Sequence, residues 1–179
     1  MIQNACEHLR PGGYFCGTIP DANQIVKRLK QSGTTKFGND VFSIDFQRTY
    51  DDIIADGGFK PFGEMYKFHL DNVVDCPEFL VNFDILREMC KSFGLVEMFS
   101  NDFESFYNQE SEQENNKDLL KKMKALEMCP YNGGRRNGTA PDDYDQLRDI
   151  DPESFPVGTL SKSEWEAITL YRVFSFQKQ

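Results

Sequence analysis

The side chains with the widest chemical repertoire in this 179-residue sequence are two histidines, His8 and His69, and five cysteines, Cys6, Cys16, Cys76, Cys90 and Cys129. The cysteines form no CxxC pair and are odd in number, so neither a zinc site nor a disulfide framework follows from their spacing. Buried, reduced thiols are the expectation. No Ser-His-Asp, Cys-His or paired-carboxylate constellation is visible, so chemistry that needs a proton removed has no evident agent. The glycines of "RPGG" (10–13) precede an apolar run of strand length, whereas a phosphate cradle follows a strand and opens a helix. What remain are single groups at places where ligands collect. Pro20 ends the first strand-like run, at the edge where open α/β sheets bind ligands, although an ordinary strand stop explains it equally. Glu78 falls in the first turn of a predicted helix, where a carboxylate complements the helix dipole. Tyr171 lies in the last predicted strand, either as a core ring or as a stacking face with a hydroxyl at a pocket edge. Lys67 and His69 could meet a phosphate, but their alternating strand can equally turn them to solvent.

The elements that must position these groups follow from periodicity and punctuation. Residues 2–9 end a helix that the Pro-Gly turn stops. "YFCGTIP" (14–20) predicts a strand, and Asp21 as N-cap opens a helix with Ile25, Val26 and Leu29 inward. Residues 32–39 read as loop. Phe42, Ile44 and Phe46 alternate along 40–46, and 64–70 is a second alternating run. Together they predict an antiparallel ribbon at 38–70, with 51–63 as an exposed excursion. Residues 75–94 predict a long helix, with Pro77 in its first turn, Phe79, Phe83, Leu86, Cys90 and Phe93 as one stripe, and Gly94 at its stop. A strand over 95–103 precedes a polar, acidic loop at 108–116. The short amphipathic helix after it begins a lobe of helix and loop at 117–156, in which Met123 and Met128 suggest core or a partner seam. Residues 129–145 are turn-rich and expected to fray into solvent. Ser161 and Glu164 stand at capping-box spacing, ahead of a closing strand at 169–176.

Bulk composition bounds the function. Hydrophobic residues at 39% and charged residues at 27% are a globular balance, consistent with one domain over 1–179. Sixteen Phe, seven Tyr and one Trp point to a core or pocket built from rings. A net charge of −9 argues against sequence-blind binding to a long phosphate backbone, while a few placed groups can still hold a compact nucleotide. No signal peptide shows, and no apolar run approaches the ~20 residues of a membrane span. A cytosolic or nuclear compartment is expected.

A helix, then "LRPGGYF", then a strand and a second helix, resembles the second half of a class I S-adenosylmethionine-dependent methyltransferase. "NACEHLRPGGYFCGTIPD", "FGNDVFSIDF", "DCPEFLVNFDILREMCKSFGL", "LLKKMKALE" and "GTLSKSEWEAITLYRVFSFQKQ" together resemble the eukaryotic mRNA cap guanine-N7 methyltransferase family. The match covers nearly the whole chain and is weakest at 108–116 and 131–155. It implies an α/β fold, the C-terminal half of a Rossmann-like sheet ordered 3-2-1-4-5-7-6. Strands 5, 7 and 6 would be present, with the β-ribbon insert and the helical lobe. Strands 1 to 4, the glycine-rich cofactor loop and the acidic residue for the cofactor ribose would lie outside this sequence. The chain is thereby expected to be a C-terminal part of a longer enzyme, inactive when isolated.

The resemblance also implies roles. Glu78, in "PEFL", would read the Watson–Crick edge of the cap guanine, accepting from N1–H and the exocyclic amine, a pair adenine cannot offer. Tyr171 would contact the same base, and Pro20 would pack against its edge. The reaction would be methyl transfer from S-adenosylmethionine to guanine N7 of GpppN-capped RNA. It would take place in the nucleus, with no metal and no membrane, and a small activating subunit would dock on 117–156. N7 carries a free lone pair, so positioning and electrostatics suffice without a general base. Two rival readings are a non-catalytic cap- or partner-binding fragment and a methyltransferase of a small molecule. "PEFLV" and "LSKSEWEA" argue against the latter.

Overall fold

The computed structural model describes residues 1–71, 73–129, 138–151, 153 and 157–179. One sheet joins β1 (Tyr14–Pro20), β9 (Tyr171–Lys178) and β6 (Leu95–Asp102) in that order, with β9 antiparallel to both neighbours. Alternation puts Phe15, Gly17 and Ile19 of β1 on one face, opposite Phe176, Phe174 and Arg172. A Cβ at Gly17 would stand 3.0 Å from the Phe174 ring, so glycine makes room for that ring. Helices α1 (Ile2–His8) and α4 (Phe83–Ser92) supply Ile2, Cys6, Phe83, Leu86 and Cys90 to the core on this face. Phe15, Phe83, Phe174 and Phe176 meet there with ring centroids 5.4–6.5 Å apart. Burying each such ring contributes about 1.5–3 kcal/mol.

A second sheet is a four-stranded antiparallel meander, β2 (Lys36–Gly38), β3 (Phe42–Asp45), β4 (Met65–Leu70) and β5 (Val74–Phe79). The expected ribbon is therefore its middle pair, and part of the expected 32–39 loop is a strand. Phe42, Ile44, Phe46, Tyr66 and Phe68 point to one face and pack on Ile25 and Leu29 of α2 (Ala22–Ser32). The Asp21 side chain caps α2 by accepting from Asn23 N–H, and Gly33 ends it with φ 62°, a conformation that favours glycine. The predicted excursion at 51–63 is not all exposed. It opens with α3 (Tyr50–Ala55), held by a reciprocal capping box between Thr49 and Asp52, and its Ile53 is fully buried.

Residues 75–94 are not one helix. Val74–Phe79 pairs with β4 as an edge strand, where a proline such as Pro77 is tolerated because one side makes no ladder bonds. α4 starts only at Phe83, because the Asn82 side chain accepts from the backbone N–H groups of Asp84 and Ile85. Phe79 consequently leaves the apolar stripe and is 58% exposed. Glu78 thus stands on a strand, and the role of complementing a helix dipole falls away. The polar loop at 108–116 is also mostly helical, spanned by α5 (Phe103–Glu110) and α6 (Glu114–Met123), with Asp102 capping α5. Met123 and Met128 are exposed rather than core.

In the turn-rich stretch at 129–145, residues 130–137 lie outside the described residues, as do 152 and 154–156 of the expected lobe. The described part does not fray. Asp143 is fully buried, its carboxylate accepting from Ser163 N–H at 2.9 Å and Ala140 N–H at 2.8 Å. A two-stranded ribbon of β7 (Glu127–Cys129) and β8 (Val157–Thr159) leads from it to α7 (Lys162–Ile168), which carries the expected Ser161–Glu164 capping box.

Among the described residues β1 is paired on one side only, and Tyr14 and Cys16 are exposed along it. An unpaired strand edge templates association with another chain. The isolated chain is therefore expected to self-associate as its concentration rises, and Cys16→Lys to suppress this, in sedimentation-velocity runs. A parent chain that stays monomeric throughout the series would refute the expectation.

Candidate substrate-binding site

The site forms where the two sheets meet, and α7 aims it. Ser161 and Asp143 fix the start of α7. Its end is held by Arg28 of α2, which donates to Glu166 O at 2.7 Å and Thr169 Oγ1 at 2.8 Å. Asn39 adds a clamp from the second sheet, donating to Ser163 O and to the Glu166 carboxylate. The chain then passes through buried Leu170, whose carbonyl accepts from Asp21 N–H at 2.7 Å, into Tyr171. That bond sets the register in which Pro20 and Tyr171 face each other at the end of the first sheet.

Beside this pair lies a cleft of about 290 Å³ lined by Thr18, Phe68, Leu70, Phe103, Ala167, Ile168 and Tyr171. Its walls are almost wholly apolar, suited to a flat ring. Glu78 is not one of the lining residues. Its half-buried side chain shares the inner face of β5 with Val74 and Cys76, directly opposite Tyr66 of β4. There Oε2 of Glu78 accepts a hydrogen bond from the Tyr66 hydroxyl at 2.9 Å. Tyr171 is close enough to feel the same carboxylate. Burial, and then the Glu78 charge, push its phenol ionisation above the ordinary tyrosine range. Burial first, then the charge and hydrogen bond of Glu78, push Tyr66 further up. Both phenols accordingly keep their protons, and Tyr66 donates its own to the carboxylate.

Pro20, Tyr171 and Glu78 are thus brought to one region, whereas Lys67 and His69 are not. They lie on the outer, exposed face of β4, where Lys67 pairs with Asp75 at 3.4 Å. The Tyr66 contact was missed in the sequence. Alternation in "EMYKFHL" does put Tyr66 on the buried face, but its partner was hidden while 75–79 read as helix. Among the cysteines, Cys6, Cys90 and Cys129 are buried, Cys76 is half-buried and Cys16 is exposed, the last contrary to expectation. Among the described residues, no group of three or more His, Cys, Asp or Glu could hold a metal ion, and no helix is long and apolar enough to cross a membrane.

The whole chain, residues 1–179, matches the family model described as the mRNA (guanine-N(7))-methyltransferase domain. The chain belongs to that family. It is 38% identical over 182 residues to an mRNA cap guanine-N(7) methyltransferase of Drosophila melanogaster, covering 99% of this chain and 40% of the relative. It is 35% identical over 185 residues to the Caenorhabditis elegans enzyme of the same name, covering 100% and 47%. With mRNA cap guanine-N(7) methyltransferase 1 of Oryza sativa subsp. japonica it shares 33% over 181 residues, covering 99% and 42%. The chain therefore spans less than half the length of these methyltransferase relatives, and its mixed α/β structure is consistent with a methyltransferase fold. S-adenosylmethionine is the methyl donor that the family implies. Among the described residues, none of the turns that join a strand directly to an α-helix contains a glycine, so none of them offers its glycine-rich cradle.

Proposed function

We propose that this chain supplies the guanine-binding half of an enzyme that methylates N7 of the cap guanine in GpppN-ended mRNA. The observation that carries the reading is the meeting of Glu78, Tyr66, Tyr171 and Pro20 beside an apolar cleft. An ionised carboxylate only accepts, so it favours a base edge with two adjacent donors. Guanine offers N1–H and the 2-amino group, while adenine puts an acceptor in the middle of that edge. Tyr171 bounds the cleft with its ring, and Pro20 packs beside it. Alkylating N7 makes the base cationic, so the fixed negative charge of Glu78 favours the transition state over the neutral ground state. No proton leaves N7, so the transfer itself needs no acid–base dyad.

In this reading β1, β9 and β6 are strands 5, 7 and 6 of the larger sheet. The four-stranded meander is an elaborated insert, and the cofactor half is contributed by residues outside this sequence. The site of action is the nucleus. The lobe at 117–156 carries exposed Leu119, Met123 and Met128, an apolar surface suited to a small activating subunit. A second reading, a cap-binding fragment with no transferase activity of its own, is favoured by the glycine-free strand-to-helix turns.

Isothermal titration with the cap analogue GpppG and with S-adenosylhomocysteine tests this division of labour. The expected result for the 179-residue chain is binding of GpppG and no heat with S-adenosylhomocysteine. Absence of GpppG binding would refute the site, and tight S-adenosylhomocysteine binding would refute the split.

A further inference from the structure

We propose that Tyr66 is the positioning residue that fixes the Glu78 carboxylate for its grip on the guanine edge. This rests on the reading of Glu78 given above. The two residues are 12 apart in sequence yet face each other across β4 and β5, and the phenol reaches Oε2 at 2.9 Å. Tyr66 itself is only 2% exposed, so it cannot touch a ligand and can act only through its neighbour. Its ring has nowhere to swing. It packs on Phe46 with centroids 5.4 Å apart, and Phe46 in turn meets Phe59 edge-on at 6.1 Å.

A carboxylate has about four acceptor positions on its two oxygens. Tyr66 occupies one on Oε2, which leaves Oε1 and the second position of Oε2 for two donors side by side. The phenol thereby sets the rotation of the carboxylate plane, the variable that decides whether one base can engage both oxygens. A glutamate held only at its backbone would surrender its side-chain freedom on binding, whereas one already tethered has lost it in the free protein. The raised ionisation of Tyr66 keeps it a donor at working pH, so it holds the carboxylate without neutralising it.

The test titrates GpppG, the inosine analogue IpppI (which lacks the 2-amino group at both ends) and ApppA into the parent chain, Tyr66→Phe, Glu78→Gln and the double variant. Tyr66→Phe keeps the ring and removes only the donor. It should unfold within a few degrees of the parent, bind GpppG about tenfold more weakly, lose most of the GpppG-over-IpppI preference and bind ApppA unchanged. In the Glu78→Gln background the same change should alter GpppG binding less than about twofold, since the two-acceptor grip that Tyr66 aligns is already gone. Parent-like GpppG binding by Tyr66→Phe, alongside a loss of guanine preference in Glu78→Gln, overturns the Tyr66 role and leaves the site reading standing. Losses that multiply in the double variant overturn it as well. Unchanged guanine preference in Glu78→Gln, or no GpppG binding by the parent, refutes the site reading and the inference with it. A second readout leaves Tyr66 intact. The parent should show a Tyr66 hydroxyl proton protected from exchange in its NMR spectrum, and Glu78→Leu, which has no acceptor, should lose it. Persistence of that signal in Glu78→Leu would also overturn the proposal.

Discussion

Glu78→Gln is expected to cut the preference for GpppG over the guanine-free analogue ApppA by about 10- to 100-fold, measured as the ratio of dissociation constants, while leaving the chain folded. The reasoning is chemical. A glutamine of nearly the same shape presents one carbonyl acceptor and one amide donor where the carboxylate presents two acceptors. Facing guanine, the amide donor meets one of the base's own donors, so one hydrogen bond is lost and a repulsion takes its place. Facing adenine, the same amide can supply the donor that N1 needs. A bidentate base contact is worth about 1–3 kcal/mol of discrimination, which sets the range given. The side chain is half-buried on an edge strand, and glutamine can still accept from Tyr66, so stability should change little. Equal discrimination by parent and variant would remove Glu78 from the base edge.

Asp143→Ala is expected to destabilise the chain by about 3 kcal/mol in urea unfolding at pH 7. The side chain is fully buried and lies far from the apolar cores in role. It closes the turn at Ala140 and meets the first turn of α7 through Ser163 N–H. Alanine leaves both N–H groups without a partner in a site too enclosed for easy hydration. Burial alone would raise the ionisation of Asp143. The hydrogen bonds from Ser163 and Ala140 outweigh that and hold it below the ordinary aspartate range. A folded-state value below the unfolded one means stability that is present above about pH 4 and lost as pH falls through the folded value. The gap between parent and variant should therefore shrink on acidification below about pH 4, and a pH-independent gap would contradict the ion's role. The effect should reach the cleft too, since Ala167 and Ile168 of the same short helix line it and Tyr171 follows directly.

How much of this was readable beforehand varied with the kind of signal. Capping boxes and strong periodicity carried well. Asp21 and Ser161 open helices where their side chains predict, and Phe42, Ile44 and Phe46 turn inward as their alternation requires. The failures lie where two periods compete. Phe79, Phe83, Leu86 and Cys90 fit a helical stripe, yet "VDCPEF" also alternates, and Asn82 decides the boundary by offering its oxygen to two N–H groups. The Thr49–Asp52 box was overlooked because the glycines just after it suggested loop.

By itself, then, the sequence determined which segments could be helix or strand, the ring-rich core, and the family, because local hydrogen bonding, side-chain spacing and residue identity are carried along the chain. Only the tertiary structure decided that Glu78 faces a buried phenol, that Pro20 stands opposite Tyr171, and that Asp143 belongs inside. Each of those depends on pairing between distant segments. Register across strands is set by the summed packing of both faces, which no single stretch of residues encodes.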